Sequence, residues 1–378
     1  MELFNAVNYT SLFLTLLYVF VVITFIRGWG KLRPYSYTKT TGKTKVSIIV
    51  AARNEGEIIS KTIDDLLAQD YDRQLTEIIF IDDHSTDNTN EIIASYASSG
   101  IKLITFKEEQ ALNSYKKKAI QTAIGQSVGT LIITTDADCR MGPNWLKTIV
   151  GFYETHQYKM ISSPVAFFEE KNFFERAQSL EFLYLIGLGA STIGNKMPST
   201  CNGANLAYER EAFYEVGGFK GIDDLASGDD ELLLHKMAAR FDQHIGFLKN
   251  NDAIVYTYAK PNLAAFIQQR KRWASKSTRY KNKSIIVLGV FIWLFNVSIV
   301  LNLAAGVFSL CYLQLAFYQL LVKIAIEFLF LMGVTKFAQR RELLILLPVL
   351  NVLHIIYIIF IGIAGNSGKY NWKGRMVK

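Results

Sequence analysis

Two carboxylates, Asp136 and Asp138, follow the apolar and β-branched run "LIITT" that begins at Leu131. Asp is common in turns that leave a strand, so the pair has a purely structural interpretation. The chemical interpretation is a Mg²⁺ or Mn²⁺ site for a phosphorylated substrate. Both ions prefer oxygen ligands and are commonly held by one or two carboxylates together with the phosphates of a substrate.

Polar and acidic segments follow two earlier apolar runs in the same way. "ARNE" comes after "KVSIIVA", and "DDHSTD" comes after "EIIFI". In an open α/β sheet, ligands collect at the carboxyl ends of the strands. We therefore expect these carboxylates to emerge together on one edge, beside a ligand. A structural interpretation stays open for some of them, because Asp83 and Ser85 are also natural caps for the helix that follows.

A further acidic group, Asp229, Asp230 and Glu231, begins the apolar-periodic stretch "ELLLHKM". Acidic residues are favourable at a helix N-terminus because of the helix dipole, which is the structural interpretation. The chemical interpretation is a general base, which must reach the hydroxyl that it deprotonates. A helix N-terminus that faces the sheet edge provides that reach.

The segment "FIQQRKRWASKSTRYKNK" combines basic and aromatic residues immediately before a long apolar region. The pattern predicts an interfacial basic helix over 261–283 that binds anionic lipid and holds its tryptophan at headgroup depth. A second interpretation gives Arg272 a diphosphate and Trp273 the face of a sugar. The two are compatible, because one helix can have a wet side and a lipid side.

Strand-like and helix-like stretches alternate through residues 45–260. The runs "KVSIIVA", "EIIFI", "IKLITF" and "TLIITT" predict strands, and "IISKTIDDLLAQ", "EIIASYA" and "YKKKAIQTAI" predict helices between them. This alternation predicts a mainly parallel sheet covered by helices. The strands are continuously apolar, as a sheet covered on both faces requires.

Long apolar segments flank this block and predict membrane helices. Residues 3–26 carry no charge and are followed by "RGWGKLRP", so residues 1–33 are predicted to be an uncleaved anchor that leaves the next domain in the cytoplasm. Residues 284–365 have room for about three spans, and 366–378 form a basic tail. That count places the tail outside, against the positive-inside tendency, unless one C-terminal segment is re-entrant or interfacial. Lys323 and Glu327, one helical turn apart, are expected to pair with each other facing protein.

The composition fits two joined parts. Half of the 378 residues are hydrophobic although 20% are charged, and the mean hydropathy of +0.18 is high for a soluble enzyme. The three cysteines are far apart, which excludes a disulfide framework and a zinc site and fits a reducing compartment. The net charge of +8 fits cytoplasmic loops and anionic lipid, and no nucleic-acid module is present.

In this order the motifs resemble those of membrane-bound family 2 glycosyltransferases. The resemblance rests on "VAARNE", "DDHSTD", "DAD", "CNGANLAY", "GDDELL" and the Q-x-x-R-W of Gln269, Arg272 and Trp273. It covers residues 45–275 by motif and the membrane part by layout, and the closing "NWKGR" resembles the C-terminal signature of many such enzymes. It implies an α/β domain of the GT-A type, with a mixed, mainly parallel sheet covered by helices, plus an all-α transmembrane region.

The resemblance also implies residue roles. Asp138 is the main metal ligand, Asp136 serves the metal or the nucleotide, and the cofactor is Mg²⁺ or Mn²⁺. Asp230 is the catalytic base, and Asp229 or Glu231 shares that role. The acceptor site involves Asn202, Gly203 and Trp273. The UDP-sugar donor meets Ala51, Arg53, Glu55, Asp83 (at the uracil), Lys116, Asp136, Gln269, Arg272 (at the diphosphate) and Trp273.

Two motifs depart from the family pattern. The base motif usually reads Glu-Asp, and here it is Asp229-Asp230. The basic helix motif usually begins Gly-Lys, and here Tyr115 replaces the glycine while Lys116 is the aligned lysine.

The expected activity is an inverting transfer from a UDP-sugar to a lipid-linked or polysaccharide acceptor, at the plasma membrane and facing the cytoplasm. The expected partners are therefore the UDP-sugar donor, a lipid or saccharide acceptor and membrane lipids. A processive polysaccharide synthase is an alternative, because such enzymes share the Q-x-x-R-W motif. A catalytically inactive scaffold that binds nucleotide-sugar would be expected to lose Asp138 or the Asp229-Asp230 pair, and both are present. A transporter built on Lys323 and Glu327 would leave the block at 45–260 unexplained.

Overall fold

The computed structural model describes residues 2–37, 42–106, 112, 114–280, 282–364, 370–372 and 375–377. The chain divides into two compact units. The helical unit contains Met1–Gly30, Lys171–Ser191 and Lys260–Gly368, and the sheet unit contains Lys31–Glu170, Thr192–Ala259 and Lys369–Lys378. The range 45–260 of the predicted catalytic domain includes the helix α6 (Phe173–Gly194), most of which belongs to the helical unit.

The sheet unit alternates strands and helices as the sequence predicts. Its strands in chain order are β1 (Val46–Ala52), β2 (Thr76–Asp82), β3 (Ile101–Thr105), β4 (Leu131–Asp136), β5 (Arg140–Met141), β6 (Met160–Ser162), β7 (Val165–Phe167), β8 (Leu206–Glu209), β9 (Ile245–Phe247) and β10 (Val255–Thr257). Its helices are α2 (Ile59–Leu67), α3 (Thr89–Ser95), α4 (Tyr115–Gln126), α5 (Trp145–His156), α7 (Arg210–Glu215) and α8 (Glu231–Phe241). All four strands and three helices that the sequence predicts between 45 and 136 are present.

The main sheet has seven strands in the order β3-β2-β1-β4-β8-β6-β9. The strands β3, β2, β1 and β4 are parallel, and β8 is antiparallel to both of its neighbours. The centre of the sheet is almost fully buried, with Ile48, Val50 and Phe80 at 0% exposure. Such strands need cover on both faces, which explains why they read as continuous apolar runs. The predicted mixed, mainly parallel sheet is confirmed.

The helical unit contains α1 (Glu2–Lys31), most of α6 (Phe173–Gly194), α9 (Leu263–Ser275), α10 (Lys283–Ala305), α11 (Leu310–Phe337) and α12 (Leu347–Ala364). Within the described residues, four helical segments are long and apolar enough to cross a membrane: Val7–Lys31, Lys283–Ala305, Leu310–Phe337 and Arg341–Ala364. The expectation of one N-terminal anchor and about three later spans fits these segments. Of the basic tail, the structure describes a two-stranded hairpin, β11 (Tyr370–Trp372) and β12 (Arg375–Val377).

Lys323, Glu327 and Tyr18 form a buried polar group inside the helical unit. The Nζ of Lys323 lies 2.5 Å from Oε1 of Glu327, and both side chains are buried. Tyr18 donates a hydrogen bond to the same carboxylate. The predicted pairing of Lys323 with Glu327 is confirmed, and it lies among protein groups as expected of a charge in an apolar helix.

Candidate active site

The strand register brings two acidic segments level with each other. On one side of β1, Ala52 is the partner of Asp82, and on the other side Ala51 is the partner of Asp136. Both carboxylates therefore leave the sheet at one edge, one strand away from β1 on either side. Arg53 directly follows Ala52, the last residue of β1, so it lies at the same edge. The predicted convergence of "ARNE", "DDHSTD" and "DAD" is confirmed.

The turn after β4 holds a compact group of metal-ligand atoms. One ligand atom each of Asp136, Asp138 and Cys139 lies within 4.8 Å of the other two. The hydroxyl of Thr257 lies 3.4 Å from Oδ2 of Asp138. Cys139 is fully buried, and burial together with both carboxylates raises the pKa of its thiol, so it is neutral. Two carboxylates beside a neutral thiol form a donor set that fits a hard divalent cation such as Mg²⁺ or Mn²⁺ better than a thiophilic one.

The side chain of Arg53 binds the main chain of the second acidic loop, "DDHSTD". Its guanidinium donates hydrogen bonds to the carbonyl oxygens of Asp83 and His84 at 2.7 and 2.8 Å. The Asp83 side chain is 2% exposed, and its Oδ1 lies 2.9 Å from Nδ1 of His84. The amide of Glu55 donates to the hydroxyl of Thr89 at 2.8 Å. The structure thus joins Arg53, Glu55 and Asp83 in one loop cluster, and their contacts with a nucleotide stay predictions.

The start of the helix that follows this loop is held by Asp87, the last residue of "DDHSTD". Oδ1 of Asp87 accepts hydrogen bonds from the amide and the hydroxyl of Thr89, the first residue of α3. Asp83 and Ser85 are the candidate caps that the sequence offers, and neither is the N-cap of α3, which is Asn88. Ser85 instead accepts a hydrogen bond from the amide of Asn54 at 3.0 Å, which ties the two loops together.

Lys116 connects the "DAD" segment to the "GDD" segment. Its Nζ lies 2.8 Å from Oδ1 of Asp136 and 3.1 Å from Oδ2 of Asp229. Burial lowers the pKa of Lys116, but the two carboxylates outweigh burial and hold that pKa above its ordinary value. The lysine is therefore charged at every physiological pH. Replacement of the family glycine by Tyr115 leaves Lys116 in place at the acidic edge.

Gly203 and Asp230 join the acceptor segment to the base motif. The amide of Gly203 donates to Oδ2 of Asp230 at 3.1 Å. A Cβ at Gly203 would lie 3.3 Å from Cβ of Asp230 and 3.4 Å from Oδ2 of Asp229, so a larger residue would push against both. Asn202 turns its own Oδ1 back to the amide of Ala204. The segment reaches this edge because β8 runs antiparallel and Leu206, its first residue, pairs with Thr134.

Asp230 also caps α8. Its Oδ1 accepts a hydrogen bond of 2.6 Å from the amide of Glu231, the first residue of the helix. The structural interpretation of this aspartate is therefore correct, and it is compatible with a chemical role. Glu231 is buried, with its Oε2 2.7 Å from the hydroxyl of Thr200.

Two further polar residues of this unit are buried: Asn205, which belongs to the "CNGANLAY" segment, and Lys117, whose burial was not predicted from the sequence. Asn205 accepts a hydrogen bond from Nε1 of Trp145 and donates to the carbonyls of Pro164 and Ala253. Lys117 donates from Nζ to the carbonyls of Ile222, Leu225 and Ser227 at 2.5, 2.7 and 2.7 Å. A signal for Lys117 existed, because positions 117, 120 and 124 share one helical face and the other two are isoleucines.

Lys117 is expected to make stability depend on pH. Burial, opposed by Asp229, Asp230, Asp224 and Asp223, lowers its pKa from 10.5 to about 8. Between these values the unfolded chain binds more protons, so this residue's contribution to stability rises with pH across that window. The pKa of Lys116 is raised above its ordinary value, so its ion pairs with Asp136 and Asp229 lose their contribution to stability only at pH values above this range. We expect the melting temperature of wild type, relative to Lys117→Met, to increase between pH 8 and 10; a constant difference would contradict this.

The "QRKRW" segment forms part of α9 in the helical unit. Arg270 is its buried residue, at 2% exposure, with a two-point ion pair to Glu181 and its guanidinium 4.2 Å from the Trp273 ring centroid. Gln269 accepts a hydrogen bond of 2.7 Å from the same guanidinium. The sequence motif points to Arg272 and Trp273, and the burial of Arg270 was not predicted. The roles of Gln269, Arg272 and Trp273 toward a donor stay predictions.

Residues 47–217 match the sequence model of the family described as Glycosyl transferase family 2. The segment contains Lys116, Asp136, Asp138 and Gly203, and Asp229 and Asp230 lie beyond its end. This segment is therefore similar to the family 2 glycosyl transferases. The GT-A type of fold implied by the motifs is confirmed.

Among similar proteins is the beta-monoglucosyldiacylglycerol synthase of Nostoc sp., 25% identical over 230 residues, which are 61% of this chain and 48% of that protein. The poly-beta-1,6-N-acetyl-D-glucosamine synthase of Staphylococcus aureus is 23% identical over 237 residues, 61% of this chain and 53% of that protein. The chain thus spans about half the length of these curated relatives. A solved structure, the mannosyltransferase PcManGT of Pyrobaculum calidifontis with GDP-Man and Mn²⁺, has a TM-score of 0.56, 18% identity, and covers 93% of this chain and 97% of that one.

Proposed function

We propose that this chain is an integral membrane glycosyltransferase. It moves a sugar from a nucleotide diphosphate donor, a UDP-sugar, to a lipid-linked or saccharide acceptor and inverts the anomeric carbon. The observation that carries the proposal is the double contact of Lys116 with Asp136 and Asp229. That contact places the predicted metal motif and the predicted base motif beside each other, although almost one hundred residues separate them in the sequence.

The proposed base is Asp230. A general base must lie within hydrogen-bond reach of the proton that it takes. Asp230 is held from both sides, by the Glu231 amide and the Gly203 amide, next to the segment proposed to line the acceptor site. This support fixes the carboxylate while an acceptor hydroxyl approaches, and positioning of that kind supplies much of the rate.

Asp136 and Asp138 are the residues that would hold Mg²⁺ or Mn²⁺. A divalent cation bound there would stabilise the negative charge that develops on the departing diphosphate. Lys116 adds a fixed positive charge beside Asp136 and keeps the neighbouring carboxylates of Asp136 and Asp229 from repelling each other. Asp83, in the loop held by Arg53, is proposed to meet the uracil.

The relatives support the substrate classes without fixing them. The Nostoc relative is named for the synthesis of a glucosyldiacylglycerol, and the Staphylococcus relative is named for the synthesis of a polysaccharide. The Pyrobaculum mannosyltransferase was solved in complex with GDP-Man and Mn²⁺. A lipid-linked or saccharide acceptor and a divalent cation are therefore proposed here, and a GDP-sugar belongs in any donor screen. We place the chain in the plasma membrane with the sheet unit in the cytoplasm, because basic residues follow the first apolar helix.

The test is a hydrolysis and transfer screen on the purified full chain in detergent. UDP-glucose, UDP-galactose, UDP-N-acetylglucosamine and GDP-mannose are supplied with Mn²⁺, with Mg²⁺, or with a chelator. We expect metal-dependent release of nucleotide diphosphate from a UDP-sugar, and product analysis showing inversion. Release from none of the donors, or release that persists fully in the chelator, would refute the proposal.

Lys116→Met is expected to lower turnover at least about ten-fold. The methionine keeps the length of the side chain but leaves Asp136 and Asp229 without the charge that lies between them. Initial rates with the active donor measure the effect. Lys118→Met is the matched control, because Lys118 is exposed on the same helix. Equal rates in both variants would show that Lys116 has no part in the site.

A further inference from the structure

The chain between α7 and α8 is an irregular segment that ends in the proposed base. Residues 216–230 form neither helix nor strand, and they lead directly to Asp229 and Asp230. Gly228, immediately before them, has φ of +87°, a conformation that a side chain would strain. The position of the base therefore depends on what holds this segment in place.

Two ammonium groups hold the segment by its main chain. Lys117 of α4 donates to the carbonyls of residues 222, 225 and 227, and Lys236 of α8 donates to those of residues 218 and 220. Five carbonyls of one segment are thus bound by two positive charges from two different helices. Hydrogen bonds to a charged donor are shorter and stronger than those between neutral groups.

Of the two lysines, Lys117 has the more enclosed position. It is 1% exposed, and its Nζ directs its three hydrogens to three carbonyls. The preceding residue, Lys116, binds Asp229 itself. Two adjacent residues of α4 therefore hold the segment at two places: Lys117 binds it at residues 222–227, and Lys116 binds it at Asp229.

The cost of burying Lys117 argues against a role in stability alone. Burial is the largest influence on the ammonium group of Lys117 and lowers its pKa. Keeping this group charged in the folded protein therefore costs folding free energy. The face of α4 that carries Lys117 also carries Ile120 and Ile124, both buried, where an apolar residue is the ordinary choice. Buried ionic groups of this kind fix one arrangement among several in some proteins.

We propose that Lys117 is a positioning residue for the transfer reaction: by binding the carbonyls of Ile222, Leu225 and Ser227 it holds the 216–230 segment so that Asp230 meets the acceptor. This role rests on the proposed function, in which Asp230 is the base. Lys117 acts through the segment and touches neither donor nor acceptor. Lys236 supports the other half of the same segment from α8.

The test compares Lys117→Met, Lys117→Ala, Lys236→Met and the exposed control Lys118→Met in the full chain. With the donor that wild type uses, we expect Lys117→Met to lower kcat at least about ten-fold. Its dissociation constant for that donor should stay within about two-fold of wild type. Lys117→Ala should regain activity with n-propylammonium, which replaces the lost ammonium, and not with neutral 1-propanol. Unchanged kcat, or an equal loss of donor binding, would overturn the positioning role.

A second measurement is independent of activity. Hydrogen–deuterium exchange of peptides covering 216–230 should become faster in Lys117→Met, less so in Lys236→Met, and not in Lys118→Met. Wild-type exchange in Lys117→Met would overturn the anchoring itself. If wild type turns over none of the nucleotide sugars but exchange responds as expected, the proposed function fails while the anchoring stands. If Lys117→Met does not fold, Lys236→Met provides both readouts at the more exposed end of the segment.

Discussion

Asp138→Asn is expected to reduce sugar transfer on the order of 10³-fold. The substitution keeps the size of the side chain and removes its negative charge. Asp136 already shares its charge with Lys116, whose Nζ lies 2.8 Å away. Asp138 therefore supplies much of the charge that attracts a divalent cation to the edge of the sheet, and without it the diphosphate would depart with less compensation.

The measurement for Asp138→Asn is the initial rate as a function of Mn²⁺ concentration, together with Mn²⁺ binding in the presence of UDP. Asp70→Asn serves as the control, since Asp70 pairs with Lys147 at the protein surface and is 71% exposed. We expect the control to keep wild-type metal affinity. Retention of full activity by Asp138→Asn would remove the metal assignment, and normal Mn²⁺ binding with lost turnover would move Asp138 to another role.

The parallel part of the sheet could be predicted because its signals are local. Each strand is a short apolar run, and each is followed by polar residues where the chain leaves the buried layer. Parallel strands present their carboxyl ends at one edge, so the proximity of Asp82 and Asp136 follows from their places at the ends of β2 and β4. The order of the strands, in which β1 lies between β2 and β4, was not predicted from the sequence.

The approach of Gly203 to Asp230 could not be predicted by the same reasoning. It depends on β8, a strand of four residues inserted antiparallel between β4 and β6. A short antiparallel strand has no period that distinguishes its direction, so residues alone do not say which of its ends reaches the acidic edge. The motif resemblance, and not the pattern, selected Asn202 and Gly203.

The contrast between Arg270 and Arg272 shows a second limit. Three consecutive basic residues point to different sides of α9, and the sequence does not say which side is covered. Packing decides this, because Glu181 of α6 supplies the carboxylate that compensates the burial of Arg270. A partner 89 positions earlier in the chain leaves no local signal at the helix itself. The lysine triplet of α4 presents the same problem, with Lys117 inside and Lys118 exposed.

Asp230→Asn is expected to lower transfer on the order of 10²-fold or more while the donor still binds. An amide does not accept a proton from an attacking hydroxyl, so the loss falls on the chemical step. Asn is a good helix cap, and its single carbonyl oxygen can keep one of the two amide contacts that Asp230 makes with Glu231 and Gly203. The fold at the start of α8 should therefore survive, and binding of the UDP-sugar with Mn²⁺ should stay close to wild type.

The neighbouring carboxylates make this prediction selective. Asp229 is engaged by Lys116, and Glu231 is buried against Thr200, so neither has the same position beside Gly203 as Asp230. We expect kcat to fall most in Asp230→Asn, less in Asp229→Asn and least in Glu231→Gln, on the order of 10²-fold or more for the first. If Asp229→Asn instead showed the largest loss and Asp230→Asn kept its turnover, the base would be Asp229, and the role of Asp230 would be confined to capping α8.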